Sequence, residues 1–218
     1  SINSLTILQQ SDIRTSAIDH FDGIADRISN LNWTGGTSRA RYFQIRGIGE
    51  RSQYFGEGPP NFSIGYTLDD IDLSGLGMIG QLFDVSQIEV YKGPQSSVFG
   101  SNALGGQIAL RSADPSTKNT YNYSLTIGND QKKGFNGVIN NKIHENLHLR
   151  ISSSYSYANG FRKNQFLNID NSNEKDELFM RTKILFSPSQ NFSILATILF
   201  ADLKNGYDAW APDNNEKF

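Results

Sequence analysis

Residues 87–110 have the sequence QIEVYKGPQSSVFGSNALGGQIAL, and this stretch decides the fold of the first half of the chain. A short alternation of apolar and polar residues leads into Gly93-Pro94, and Gly105-Gly106 opens a second alternation. Glycine permits backbone conformations and close approaches that other residues resist. The pattern therefore predicts a strand, a tight connection and a second strand, packed closely against another part of the chain.

The residues before this stretch have a mixed pattern of helices and strands. Residues 5–8 are a strand candidate, and Asp12 is expected to cap a helical turn that starts at Ile13. A second helix is expected to begin near Asp19, because apolar residues follow with helical spacing. These residues are Phe21, Ile24 and Ile28. Residues 42–49 and 63–73 are predicted β elements, the latter with a turn at Asp69-Asp70.

A strict two-residue alternation begins after Asn119 and marks five further strands. The apolar positions are Tyr121, Tyr123, Leu125 and Ile127; Phe135, Gly137, Ile139 and Ile143; Leu147, Leu149, Ile151, Tyr155 and Tyr157; Leu178, Met180, Thr182, Ile184 and Phe186; and Phe192, Ile194, Ala196, Ile198 and Phe200. The connection over 159–176 is long and polar, whereas the others are short. Strands of about ten residues with aromatic residues near their ends are typical of an outer-membrane β-barrel.

A soluble antiparallel sandwich would also show alternation and is the alternative fold. The barrel is favoured because the polar faces carry Asn, Ser, Lys and Arg, and because tyrosines lie near the strand ends. Five strands cannot close a barrel, and open sheet edges are not tolerated in lipid. The barrel interpretation therefore expects further strands after Phe218.

The composition sets limits on the function. The chain has 218 residues, a formal net charge of −2 and no cysteine, which excludes disulfides and cysteine-ligated zinc. No apolar run is long enough for a transmembrane helix, and the first residues do not resemble a signal peptide. Either the protein is cytosolic or such a segment has been removed.

Four motifs, in this order and spacing, resemble the plug of a TonB-dependent outer-membrane receptor. They are Ile45-Arg46-Gly47, Leu68-Asp69-Asp70, the segment VYKGPQSSVFG at 90–100, and Gly105-Gly106-Gln107-Ile108. The resemblance implies an α+β plug domain over 1–116, followed over 117–218 by antiparallel transmembrane strands that begin a β-barrel, usually of twenty-two strands. The segment that TonB grips, the TonB box, is expected before Ser1.

The resemblance also implies a function. A receptor of this family binds a scarce ligand, most often a ferric siderophore, and moves it across the outer membrane of a Gram-negative bacterium. Its partners are the ligand, outer-membrane lipid and TonB with the proton-driven ExbB-ExbD complex. Vitamin B12, haem, nickel chelates and oligosaccharides are alternative ligands within the same class.

Specific residues acquire expected roles from the resemblance. Arg46 and Lys92 fall where the plug carries two basic residues that pair with glutamates of the barrel wall, although Arg is commoner at the second position. Lysine keeps the charge and loses the bidentate fork of arginine. The motif glycines are Gly47, Gly93, Gly100, Gly105 and Gly106. The loops expected to face the ligand carry Trp33, Arg39, Gln53, Tyr54, Phe55, Leu76 and Met78.

Other motifs fail on their chemistry. Residues 70–75 resemble the start of an EF-hand, but its twelfth position would be Gln81 instead of the required Glu. Residues 100–106 have the glycine spacing of a phosphate loop without its lysine. His20, His144 and His148 lack further zinc ligands, and no Ser/His/Asp set has the context of a hydrolase. No enzyme, metal or cofactor is therefore expected.

Two other function classes remain as alternatives to the transporter. A passive porin has no N-terminal domain of about a hundred residues, so the first half of the chain disfavours it. A soluble β-rich binding or adhesion module would leave the strands after 119 folded and monomeric without detergent.

Overall fold

The computed structural model describes residues 4–15, 18–34, 42–50, 62–76, 80–165 and 168–206. The chain divides into two compact units, Ser1–Ser112 and Ala113–Phe218, with the division slightly before the predicted domain boundary at 116/117. Each unit has its own sheets, and the two are described separately.

The first unit is an α+β domain with short elements. Its strands are β1 (Ser4–Gln9), β2 (Leu31–Thr34), β3 (Tyr42–Ile45), β4 (Ile48–Gly49), β5 (Ile64–Leu68), β6 (Ile71–Asp72), β7 (Val85–Lys92) and β8 (Gly106–Ser112). Its helices are α1 (Gln10–Thr15), α2 (Phe21–Ala25) and α3 (Ser96–Phe99), and a 3₁₀ turn covers Ser101–Ala103.

The predicted strand, tight connection and strand at the centre of the sequence are present as β7, α3 with the 3₁₀ turn, and β8. They lie inside a five-stranded sheet of order β1-β7-β8-β5-β6. All pairs are antiparallel except β5 and β8, which are parallel. A second sheet contains β2, β3 and β4. The turn at Asp69-Asp70 joins β5 to β6, as the sequence predicts.

The start of the first helix differs from the prediction. The helix begins at Gln10, two residues before Asp12, so Asp12 does not cap it from outside. Its carboxylate Oδ2 instead accepts a hydrogen bond from the backbone N–H of Gln9 at 2.9 Å. Asp12 therefore makes one of the two hydrogen bonds of a capping box, from the third helical residue back to the residue before the helix. The following helix is short, and Ile28 lies in the turn beyond its end although it is buried.

Three aromatic rings form the centre of the core of the first unit. Phe21, Phe43 and Tyr66 have pairwise ring-centroid distances of 5.5 Å, with Phe43 and Tyr66 stacked and Phe21 at their edges. All three side chains are buried. Aromatic pairs at such distances add to the stabilisation from burying their apolar surface.

Tyr66 carries the one uncompensated polar atom of this cluster. Its hydroxyl is buried and has no hydrogen-bond partner among the described residues. Burial, followed by the nearby charge of Asp22, raises the pKa of Tyr66 above its ordinary value.

Tyr66→Phe is expected to leave the free energy of unfolding unchanged or to raise it by about 1 kcal/mol, because a buried hydroxyl without a partner is costly. Native-state hydrogen exchange of β5 in the full-length protein measures this change. Phe43→Leu, which removes the stacked ring, is the control that should destabilise. A loss of stability in Tyr66→Phe would show that the hydroxyl is hydrogen-bonded.

The second unit is one antiparallel sheet of five consecutive strands, in agreement with the prediction. Its strands are β9 (Thr120–Ile127), β10 (Lys133–His144), β11 (Leu147–Ala158), β12 (Lys175–Ser189) and β13 (Phe192–Leu203). Each strand pairs with the next one along the chain. The long connection follows β11, and two-residue turns close the hairpins after β10 and β12.

The two faces of this sheet have opposite character. The polar face contains Asn140, Ser152, Arg181 and Lys183, which are all buried. The other face is apolar and exposed, and its most exposed side chains are Tyr121, Tyr123, Leu125, Ile127 and Ile198. In a water-soluble sheet the apolar face is the one that packs on the core. Among the described residues, none of the helices is both long and apolar enough to cross a membrane.

Candidate functional site

The turn between β3 and β4 places Arg46 at a fixed point of the first unit. Arg46 and Gly47 have φ values of 55° and 80° and form the two-residue loop of this hairpin. Positive φ at both positions is the mark of a type I′ turn, and glycine at the second position is favoured there. The backbone N–H of Arg46 donates to Asn30 O at 2.9 Å, which ties the turn to the segment after α2.

Lys92, at the end of β7, is a buried cation next to Arg46. Only 4% of its surface is exposed, and Nζ donates a hydrogen bond to Ser29 Oγ at 3.0 Å. Burial, and then the charge of Arg46, lower the pKa of Lys92. Within the described part of the chain, neither cation has a carboxylate at ion-pairing distance. The sequence motif named both residues, and the structure brings them together.

Two adjacent glycines let β8 lie close to its neighbours. A Cβ on Gly106 would lie 2.5 Å from the carbonyl oxygen of Tyr91 and 2.7 Å from Ile45 Cδ1. A Cβ on Gly105 would lie 2.6 Å from Ile48 Cγ2, which belongs to a half-exposed side chain. The close packing expected of this motif is therefore present. The other motif glycines, Gly47, Gly93 and Gly100, have positive φ.

A carboxylate network on β7 was not anticipated from the sequence. Glu89 is buried and accepts hydrogen bonds from Gln87 Nε2 and from the Tyr91 hydroxyl, both at 2.6 Å. Arg111 Nε lies 3.6 Å from Glu89 Oε1, and Arg111 Nη1 lies 3.9 Å from Asp70 Oδ1. The hydrogen bond to Glu89, followed by burial, raises the pKa of Tyr91. The available signal was the alternation of β7, which puts residues 87, 89 and 91 on one face.

Asp69 connects the β5–β6 turn to the end of β8. Its Oδ1 accepts from the backbone N–H of Ser112 at 2.8 Å, and its Oδ2 accepts from the Ser112 hydroxyl at 2.6 Å. The Asp69 backbone N–H donates to Leu110 O at 2.9 Å. Asp69 therefore has a structural role that the sequence motif did not specify.

His20 is a structural residue in the core of the first unit. Its Nε2 accepts a hydrogen bond from the backbone N–H of Gly80 at 3.1 Å, and its Nδ1 lies 2.9 Å from Asp22 Oδ1. It therefore joins the start of α2 to a segment sixty residues away. In the part of the chain that the structure describes, no group of three His, Asp or Glu side chains is placed to hold a metal ion.

The residues predicted to face a ligand are only partly described. Trp33 was expected in a loop, but this expectation is wrong: Trp33 lies in strand β2, where it pairs with Phe43 of β3, and it is 36% exposed. Leu76 follows the turn after β6 and is 48% exposed. Arg39, Gln53, Tyr54, Phe55 and Met78 lie outside the described residues.

The first unit matches a known domain family. The match includes the central sheet, the neighbouring cations Arg46 and Lys92, and the glycines Gly105 and Gly106. Residues 1–107 match the family model of the TonB-dependent receptor plug domain. The chain carries a TonB-dependent receptor plug domain. The vitamin B12 transporter BtuB of Vibrio vulnificus (strain YJ016) is 26% identical over 92 residues, which are 42% of this chain and 15% of that protein.

Solved structures show the same fold for the plug domain together with the strands that follow it. The ferric yersiniabactin uptake receptor FyuA from Yersinia pestis superposes with a TM-score of 0.74 at 17% identity, over 86% of this chain and 29% of that one. The pyoverdine outer membrane receptor FpvA from Pseudomonas aeruginosa PAO1 gives 0.73 at 13% identity, over 93% and 28%. The chain thus spans less than a third of the length of these receptors.

Proposed function

We propose that the full-length protein takes up a scarce ligand across the outer membrane, driven by TonB with the proton-powered ExbB-ExbD complex. The observation that carries this proposal is the combination of a plug domain with a sheet whose polar face is buried and whose apolar face is exposed. A passive porin accounts for the sheet without the plug domain. A soluble binding module does not account for the exposed apolar face.

The exposed face of the second unit is the main support for an outer-membrane location. Side chains on β9 are exposed by 80% at Tyr123, 73% at Leu125 and 88% at Ile127. Contiguous apolar surface of this kind marks a contact with protein or membrane. In an outer-membrane barrel this face contacts lipid and the alternate face lines the lumen.

Leu125→Arg is expected to destabilise the folded, membrane-inserted receptor by about 2 kcal/mol, because an arginine then faces lipid. The matched control is Ser124→Arg, one residue earlier on the polar face, which should insert as the wild type does. Heat-modifiable migration of outer-membrane fractions measures the folded fraction. Equal folded fractions of the two variants would favour the soluble binding module. The same conclusion would follow if residues 119–218, expressed without detergent, were soluble, monomeric and rich in β-structure.

The ligand is proposed to be a ferric siderophore. Two of the solved receptors with this fold are named for ferric yersiniabactin uptake and for pyoverdine. A deletion strain grown under iron limitation, with ferric siderophores supplied one at a time, tests the proposal. We expect growth on at least one chelate to require both this protein and TonB. Unchanged growth on every chelate would contradict an iron ligand.

Vitamin B12 is the second candidate ligand, because the relative from Vibrio vulnificus is a vitamin B12 transporter. The same deletion in a strain that depends on external cobalamin separates the two candidates. In the same strains, haem is tested as the sole source of iron, and oligosaccharides are tested as the sole source of carbon.

Ligand contacts are proposed at Trp33 of strand β2 and in the outward loops of the plug domain. Trp33 and Leu76 support this part of the proposal because they are apolar side chains exposed to solvent. Arg39, Gln53, Tyr54, Phe55 and Met78 complete the proposed set. We also propose that Arg46 and Lys92 form ion pairs with glutamates of the barrel wall. The support is that, among the described residues, no carboxylate lies within ion-pairing distance of these two neighbouring cations.

A further inference from the structure

The chain passes from the first unit to the second between Ser112 and Ala113, and hydrogen bonds fix it on both sides of that point. On the first side, both carboxylate oxygens of Asp69 hold Ser112, at 2.8 and 2.6 Å. Ser112 is 4% exposed. Hydrogen bonds to a carboxylate are short and roughly twice as strong as neutral ones. The end of β8 is therefore held to the β5–β6 turn.

On the second side, Asn140 holds the chain through four hydrogen bonds. Its Oδ1 accepts from the backbone N–H of Ser116 at 3.0 Å, and its Nδ2 donates to Ser116 O at 2.9 Å, Ser116 Oγ at 3.1 Å and Lys118 O at 2.6 Å. Asn140 is completely buried. Lys183 Nζ also pairs with Asp114 Oδ1 at 2.7 Å. The first residues of the second unit are therefore fixed to strands β10 and β12.

Only residues 113–115, here called the tether, lie between Ser112 and Ser116. Pro115 fixes its own φ, and a residue before proline favours an extended conformation, so the tether is stiff as well as short. The four Cα steps from Ser112 to Ser116 span at most about 14 Å. Loss of the hydrogen bonds from Ser112 to Asp69 would lengthen the segment that lies between the two held residues.

We propose that the tether, clamped by Asp69 on one side and by Asn140 on the other, keeps the C-terminal end of the plug domain in place while the rest of that domain is displaced during uptake. This inference rests on the proposed function, since it assumes that TonB pulls on the plug domain. The displacement then takes place in the segments before β8. Asp69 acts by holding Ser112, and thereby the end of β8, in position.

Asp69→Asn tests the clamp, and Asp70→Asn is the matched control. Both residues lie in the same turn with positive φ, of 49° and 66°, but Asp70 is exposed and its only described ion-pair partner is Arg111, at 3.9 Å. In the full-length receptor, hydrogen exchange of the Ser112 amide is expected to rise about tenfold in Asp69→Asn and to stay within about twofold in Asp70→Asn. Ser112→Ala, which removes the hydroxyl donor alone, should give an intermediate increase.

The role of the clamp in uptake is tested by the entry of vancomycin, a large antibiotic that an intact outer membrane excludes. Asp69→Asn is expected to lower the inhibitory concentration about fourfold in cells with TonB and to leave it unchanged in cells without TonB, because only a pulled plug domain needs the anchor. Equal sensitivity in both strains would mean that Asp69 only stabilises the fold. That result overturns the proposal. The proposal also fails if the Ser112 amide exchanges at the same rate in Asp69→Asn as in Asp70→Asn. Failure of the transport proposal would appear separately, as ligand uptake by the wild type that does not need TonB.

Discussion

Gly106→Ala is expected to destabilise the plug domain by about 3 kcal/mol, because the new methyl group has no space that a side chain could vacate. Its Cβ would lie 2.5 Å from the carbonyl oxygen of Tyr91, which belongs to the backbone of β7. Tyr91 pairs with Gln107 across the β7–β8 ladder, so relief requires the two central strands to separate. Native-state hydrogen exchange of β8 amides in the full-length receptor measures the loss.

Gly105→Ala is the matched control for this prediction. The same methyl group at Gly105 would lie 2.6 Å from Ile48 Cγ2 and 3.0 Å from Ile64 Cδ1, which are both side-chain atoms. Ile48 is 54% exposed and can rotate away, so we expect a cost of about 1 kcal/mol. If the two variants lose the same free energy of unfolding, the prediction is wrong, because the contact with the Tyr91 backbone would then not explain the need for glycine at position 106.

The strands of the second unit were predictable from the sequence because their two faces differ in polarity. In β12, for example, Met180, Thr182 and Ile184 alternate with Arg181 and Lys183, and the structure keeps this division. A strand with one apolar face and one polar face leaves a period of two in the sequence. The strand ends were not predicted as well, because pairing continues beyond the alternation: β12 extends to Ser189, three residues after Phe186.

The plug site was predictable only in part. The local motif predicted the close packing of the glycines beside β8, since close backbone approach demands glycine. It did not predict the turn at Arg46: residues 42–49 were expected to be one β element, whereas the structure divides them into β3 and β4 with Arg46-Gly47 as the loop between them. Contacts between distant segments leave no local pattern. The hydrogen bond from Lys92 to Ser29 joins residues 63 positions apart, and the bond from Gly80 to His20 joins residues 60 positions apart. Asp12 shows the same limit at short range, because a carboxylate near a helix start can serve as the cap or as the third helical residue.

Arg46 is exposed in the structure of this chain, and we propose that a barrel-wall glutamate of the full-length receptor buries it in an ion pair. With that pair, Arg46→Gln is expected to lower the free energy of unfolding of the plug domain by about 3 to 5 kcal/mol, the usual cost of removing one partner of a buried ion pair. It should also raise the sensitivity of cells to vancomycin. The reason is the environment of the two cations. Lys92 is buried beside Arg46, and among the described residues only Ser29 accepts a hydrogen bond from its amino group. A buried positive charge beside a second cation needs a counter-charge, which we expect from glutamates of the barrel wall.

The sign of the change in stability caused by Arg46→Gln shows whether the proposed ion pairs exist. If no glutamate approaches, removing Arg46 relieves repulsion between like charges and lets the lowered pKa of Lys92 rise, so the domain gains stability. If the pairing exists, the same change leaves a buried glutamate without its partner, and stability falls. Arg27→Gln, which removes an exposed cation of the same domain, is the control and should change neither stability nor vancomycin entry. An increase in stability for Arg46→Gln would contradict the ion pairs, because no partner would then have been lost.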